Sequence, residues 1–217
     1  MTNLELFELT LKTRTVVQDK DAVEKGIAYE SKATKTAFMI YDDHKAKIRY
    51  ICFRETSGHW WDWFINLVYK KVRDHRSIAR HGGFTACYLS IFKALNKAIK
   101  KSPYPIKFVG YSKGGAIAQI AYERMPAVHK DKQFLIPTVF GSPRVYGFFS
   151  VSQLPDRMKD LQRFEYRGDM VTKVPFFFMR FRHTGERIPL NKLRIFPFPV
   201  WPWDHYPKHY LKELELF

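Results

Sequence analysis

Alternating strand and helix patterns joined by short connections predict an α/β fold, with a mostly parallel central sheet flanked by helices. Three observations carry that prediction. Phe84, Cys87, Tyr88, Ile91, Phe92, Leu95, Ala98 and Ile99 recur at three- and four-residue steps, the spacing of one helix face. Ile106–Val109 is a short apolar run that passes through GYSKGG directly into a second helical pattern, AIAQIAYERM. The chain has 217 residues, enough to bury one full core and too few for much more. A single domain over 1–217 is expected, with residues 1–36 a peripheral N-terminal segment in which no motif is readable.

In chain order, Ala37–Tyr41 and Ile48–Phe53 read as neighbouring strands separated by the turn-like DDHKAK. A loop, RETSGH, follows, and then an aromatic-rich stretch, WWDWFINLVYKKV, read as helical. The apolar stripe beginning at Phe84 spans about five helical turns. Lys93, Lys97, Lys100 and Lys101 lie away from it, and SPYP ends it, because proline cannot continue a helix interior. Phe134–Phe140, interrupted by Pro137, reads as a strand entering GSPRV, and Arg163–Tyr166 as a short strand running into RGD. The C-terminal stretch is dense in proline and aromatics (FPFPVWPW) and closes with a helix-like segment.

Charge is the unusual feature of the composition. There are 37 Lys and Arg against 21 Asp and Glu, a formal net charge of +16, with 17% aromatic residues. Residues 1–50 hold nine basic and eight acidic residues, so +15 of that charge falls on the rest of the chain. Nucleic acid, an anionic membrane surface or plain solubility would each account for it. No run approaches the ~18 apolar residues of a membrane span. The N-terminus lacks the basic and apolar regions of a Sec signal. The sequence thus predicts a cytoplasmic protein or one exported by a non-Sec route. Cys52 and Cys87 have no metal-site spacing, and each sits in an apolar run, so buried free thiols are expected.

Gly110-Tyr111-Ser112-Lys113-Gly114 is the most informative pentapeptide. A serine between two glycines, straight after a strand and before a helix, is the nucleophile-elbow pattern. The turn must be tight, and the flanking glycines let strand and helix approach closely. The helix N-terminus then aims backbone N–H groups at the reacting centre.

With that turn as anchor, the chain from about Phe53 to Tyr210 resembles the class 3 lipases, a branch of the α/β-hydrolase fold. FRET at 53–56 resembles the family's FRGT loop, DWFINL at 62–67 its DW-x-x-NL element, and HGGF at 81–84 its HxGF helix opening. GYSKGGAIAQIA resembles the GHSLGGALA elbow, and TVFGSPRV at 138–145 the family's TFGSPRVG turn. RGDMVTKVP at 167–175 resembles the stretch carrying the family's triad acid, and HTGE at 183–186 and DHYPKHY at 204–210 resemble its terminal segments, the latter containing the triad histidine.

The resemblance implies Ser112 as nucleophile, Asp169 as the triad acid and His205 as the base, in the chain order of this fold. His209 is a nearby rival for the base, and the Asp204, His205, Tyr210 spacing favours His205. His81 and His183 fall inside motifs and are read as supports of local loops. An oxyanion hole is implied from the backbone N–H of Lys113 and from Thr56. Three departures stand out. Glu55 replaces the loop glycine, and Tyr111 and Lys113 stand where the elbow usually has His and Leu; Lys113 is read as projecting into solvent.

The function expected is a carboxylic ester hydrolase, lipase- or phospholipase-like, with no metal or organic cofactor. Its substrate would be a lipid or other ester, and an anionic membrane surface a possible partner, because WWDWFINLVYKKVR, FFFMRFR and RIFPFPVWPW interleave aromatic and basic residues. Residues 57–80 are the lid candidate by resemblance, and Phe176–Phe178 are read as core. A soluble-ester hydrolase comes next. The competing class is a basic nucleic-acid- or membrane-binding protein on a hydrolase scaffold, although no nucleic-acid motif is present.

Overall fold

The computed structural model describes residues 1–56, 70–191 and 205–216. Its centre is a seven-stranded sheet in the order β1-β2-β3-β6-β7-β9-β11. These are β1 (Ala28–Glu30), β2 (Ala37–Asp43), β3 (Ile48–Phe53), β6 (Ile106–Tyr111), β7 (Thr138–Phe140), β9 (Gln162–Glu165) and β11 (Glu186–Pro189). From β3 to β11 every pairing is parallel, whereas β1 and β2 add antiparallel at one edge. The fold is thus an α/β fold with a mostly parallel sheet.

The strand read as Ala37–Tyr41 continues to Asp43. Asp42 accepts two hydrogen bonds from its cross-strand partner Arg49, at 2.7 and 2.6 Å, which holds the pair together past the apolar residues. The strand read as Phe134–Phe140 is shorter than expected. Pro137 has no N–H for the ladder, so only Thr138–Phe140 pairs, and Phe134 makes a single bridge to Ile106.

Helices α3 (Gly82–Lys100) and α4 (Lys113–Val128) cover one face, and the predicted apolar stripe is their shared core. Tyr88, Ile91, Leu95 and Ile99 of α3 pack with Ile117, Ile120 and Ala121 of α4, over Ile51, Phe53 and Phe108 of the sheet. His81 caps α3, its Nδ1 accepting from the Phe84 amide at 3.4 Å.

The other face corrects the expectation of a peripheral N-terminus. Residues 3–16 form α1 (Asn3–Val16), started by a capping box: Thr2 and Glu5 each accept a hydrogen bond from the other's backbone amide. Leu6, Phe7 and Leu9 are buried in a second core with Val109, Tyr111, Phe140, Phe164 and the C-terminal α5 (Pro207–Leu214). The short α2 (Lys20–Glu24) follows α1. Cys52 and Cys87 are buried free thiols, and burial pushes the Cys52 thiol up.

Beside the main sheet lies a small antiparallel one, β10-β8-β5-β4, made of β4 (Lys71–Arg73), β5 (Ala79–His81), β8 (Tyr146–Gly147) and β10 (Phe181–Arg182). It overturns two expectations. The end of WWDWFINLVYKKV is strand, with Lys71 paired to His81, and residues 60–69 of that stretch lie outside the described residues, as does FPFPVWPW. Of the lid candidate 57–80, residues 57–69 lie outside the described residues; of the rest, 71–73 and 79–80 are strand, and Arg80 is buried in ion pairs with Asp74 and Glu123. Phe177 and Phe178, read as core, are 57% and 76% exposed.

Candidate active site

The site is assembled where β6 passes into α4. Ser112 has φ 56 and ψ −125, a left-handed conformation that L-residues rarely adopt and that a functional turn can sustain. Its amide donates to the Phe140 carbonyl at 2.9 Å, and its own carbonyl accepts the first helical bonds, from Gly115 and Ala116. The elbow glycines are required by contact. A Cβ on Gly110 would sit 2.3 Å from the Gly114 carbonyl oxygen, and one on Gly114 would sit 2.2 Å from that of Phe53. The second contact also brings the loop after β3 against the start of α4.

Ser112, His205 and Asp169 are brought together in one hydrogen-bonded line. His205 Nε2 lies 2.8 Å from Ser112 Oγ, and His205 Nδ1 lies 2.7 Å from Asp169 Oδ2. An ionised carboxylate only accepts, so the proton belongs on Nδ1, and Nε2 is left to accept from the serine hydroxyl. The separation along the chain is 93 residues for the first contact and 36 for the second, so the arrangement is tertiary. His209, the rival, lies instead beside Tyr166, with ring centres 5.3 Å apart.

Asp169 is fully buried and closely held. It follows β9 through a turn in which its amide donates to Tyr166. Its Oδ1 accepts from the Val171 amide at 2.8 Å, and its Oδ2 accepts from the Tyr210 hydroxyl at 2.5 Å. Burial, with the Asp169 charge adding, holds the Tyr210 phenol well above its ordinary value, so it remains a donor. Gly141, at φ +52, makes room for this cluster: a Cβ there would lie 2.8 Å from Tyr210 Oη and 2.9 Å from Asp169 Oδ2.

One further side chain flanks the histidine, and another backs it. The Tyr111 ring stacks on the His205 ring, centres 4.9 Å apart at 21°, and its hydroxyl donates to the His205 main-chain carbonyl. Phe7 of α1 packs against Tyr111, Phe140 and Tyr210 at 5.2, 5.0 and 5.5 Å. Sequence reading registered Tyr111 only as a departure and Tyr210 only as spacing, and it missed Phe7. The Thr-x-x-Glu capping box at residues 2–5 was the signal that a helix begins there.

Lys113 is corrected: it does not project into solvent. The residue is 3% exposed, and burial lowers its ammonium below the ordinary lysine value. Its backbone N–H lies in the first turn of α4, where helix amides have no intrahelical partner. Thr56 is half-buried, three residues after the end of β3. Glu55 is tolerated where the resemblance has glycine because its φ is not positive, and its carboxylate pairs with Arg14 of α1 at 3.0 Å. His183 is structural, its Nε2 2.7 Å from the Thr172 carbonyl oxygen. Among the described residues no group of three or more His, Cys, Asp or Glu could hold a metal ion, and no helix is long and apolar enough to cross a membrane.

The pattern of the lipase (class 3) family matches residues 50–179. Solved fungal structures share the fold. The chain is similar to Rhizomucor miehei triacylglyceride lipase, with 20% identity, 93% of this chain and 91% of that chain covered, and a TM-score of 0.73. It is similar to lipase II from Rhizopus niveus, with 19% identity, 88% and 83% covered, and a TM-score of 0.66. A triacylglycerol lipase described as having a serine protease triad as its catalytic centre matches with 21% identity, 93% and 91% covered, and a TM-score of 0.75. At these identities the likeness is one of fold. No curated protein sequence matches.

Proposed function

The chain belongs to the class 3 lipase family, and we propose that it is a serine carboxylic ester hydrolase whose triad is Ser112, His205 and Asp169. The observation that carries the proposal is the unbroken hydrogen-bonded line through those three side chains. In this reading Ser112 Oγ attacks the acyl carbonyl while His205 Nε2 takes its proton. The same proton then passes to the leaving alcohol, and an acyl-enzyme remains. Water adds next, giving its proton to His205, and the acid is released as Ser112 is restored. Asp169 keeps the imidazole in the right tautomer and stabilises the imidazolium. The Lys113 amide and Thr56 would receive the oxyanion.

The test is covalent labelling. A fluorophosphonate probe should label the wild-type protein and leave Ser112→Ala unlabelled. A protein that neither takes the probe nor turns over p-nitrophenyl esters would be the competing class, a binding protein on a hydrolase scaffold.

The finer reading takes the substrate as a lipid ester met at an anionic surface. It is supported by Phe149, Phe177 and Phe178, all exposed, beside Lys71, Arg180 and Arg182. Burial and the neighbouring Arg180 and Arg73 lower the Lys71 ammonium below its ordinary value, so cations crowd together here. Arg182 lies 3.8 Å from the centre of the Phe148 ring. Such a surface suits a membrane interface. Hydrolysis of phospholipid vesicles should rise with anionic lipid and fall with salt. Indifference to both would leave the soluble-ester hydrolase.

A further inference from the structure

We propose that Tyr111 is a positioning residue for the His205 imidazole, holding it at its backbone carbonyl and along one face of its ring. The proposal rests on the reading of His205 as the base. Two hydrogen bonds, to Ser112 and to Asp169, grip the imidazole at its two nitrogens. Both bonds lie at the ring's edge, so together they define an axis and leave tilting about it unrestrained. The Tyr111 ring, stacked at 4.9 Å and 21°, blocks that tilt. Its hydroxyl, donating to the His205 carbonyl, fixes the main chain from which the imidazole hangs.

Tyr111 is itself immobilised. It is the last residue of β6, in register with Phe140 of β7, and is 2% exposed. Phe7 meets its ring edge-on at 5.2 Å and 82°, and Tyr210 at 5.5 Å and 63°. It immediately precedes Ser112, so the nucleophile and the support of its base hang from adjacent residues of one strand end. Alternate residues of a strand point to opposite faces. The face Tyr111 takes is the one on which Tyr210 and Leu214 of α5 pack, and His205 lies just ahead of that helix. Burial, with Asp169 and Glu55 adding, keeps its phenol protonated and therefore a donor. Packing alone would be met by phenylalanine; the hydroxyl's choice of the His205 carbonyl is what packing does not explain.

Tyr111→Phe and Tyr111→Leu separate the two contacts. The phenylalanine variant keeps the stack and the fold and loses the hydroxyl. The leucine variant loses both contacts. On a soluble p-nitrophenyl ester, kcat should fall about tenfold for Tyr111→Phe and about 100-fold for Tyr111→Leu, with KM unchanged. The downfield proton NMR resonance of the imidazole Nδ1–H should persist in Tyr111→Phe and broaden in Tyr111→Leu. Wild-type kcat and an unaltered resonance in both variants, whatever the melting temperature, would overturn the proposal. If Ser112→Ala and His205→Ala also retained turnover, the catalytic reading itself would fail. Loss of turnover in those two, with none in the Tyr111 variants, would defeat the positioning role alone.

Discussion

Asp169 and Glu123 are both fully buried carboxylates, and they are answered by opposite kinds of neighbour. Glu123, on α4, is clamped by arginines: Arg80 Nε donates to it at 2.7 Å, and Arg76 pairs with its other oxygen. Arg80 reaches Asp74 as well, at 2.8 Å, and the arginine bonds hold the Asp74 carboxyl far below the usual carboxylate range despite its burial. Asp169 is given an amide, a phenol and an imidazole, and no Lys or Arg among the described residues pairs with it. A carboxylate already neutralised by fixed cations gains little when a neighbour becomes charged. One surrounded by neutral donors would keep its field for the imidazolium that the proposed mechanism forms on His205. Similar burial thus accompanies an arginine-clamped acid in one place and, in the proposed triad, the acid that supports the base in the other.

The sharpest way to break that contrast is Asp169→Asn. Ester turnover should fall about 10⁴-fold while circular dichroism stays native, because the amide reverses the tautomer without emptying the space. A fall of less than tenfold would remove Asp169 from the mechanism. Glu123→Gln should do the converse. It strands Arg76 and Arg80 against a neutral group, and urea titration should show a loss of about 3–5 kcal/mol, with turnover per folded molecule retained. A stability change within experimental error would mean that the arginine clamp is idle.

Acidity sharpens the comparison through a buried base. Burial pulls His81 down to about 4, against about 6.5 for the unfolded chain. Between those values the unfolded state binds a proton that the folded state refuses, so stability is full above about pH 6.5 and declines as pH falls toward 4. The decline attributable to His81 is about 3 kcal/mol. His81→Asn keeps a capping side chain and should flatten the stability profile in that window; an unchanged slope would assign the acid sensitivity elsewhere. The smallest effect is expected at the exposed end of the series. Arg14→Ala removes a half-exposed partner of Glu55 and should cost no more than about 1 kcal/mol. A larger loss would show that α1 is tied to the loop after β3 by that pair.

What was legible in the sequence follows the range of the forces involved. The stripe from Phe84 to Ile99 and the Gly-x-Ser-x-Gly turn are local patterns, and both fall where expected. Ser112, Asp169 and His205 could be named because each sits in a short motif. Their partners could not. Tyr111 meets His205 across 94 residues, and Tyr210 meets Asp169 across 41, contacts with no local spacing to betray them. Strands of two or three residues, such as Tyr146–Gly147, are too short for alternation to appear, so the small sheet was invisible. Apolar runs do not reveal which side faces water, so Phe177 and Phe178 are exposed where the run predicts core, and a charged residue in a turn does not reveal that packing covers it, so Lys113 is buried where the sequence predicts solvent.

The packing of Phe7 in α1 against Tyr210 in α5 has a consequence for biosynthesis. The ribosome releases the serine first, the aspartate next and the histidine last, and the helix that carries Tyr210 follows at once. Until α5 settles on α1, the proposed nucleophile would stand without the base that activates it. In that reading, hydrolysis would wait on the docking of two helices about 200 residues apart in the chain.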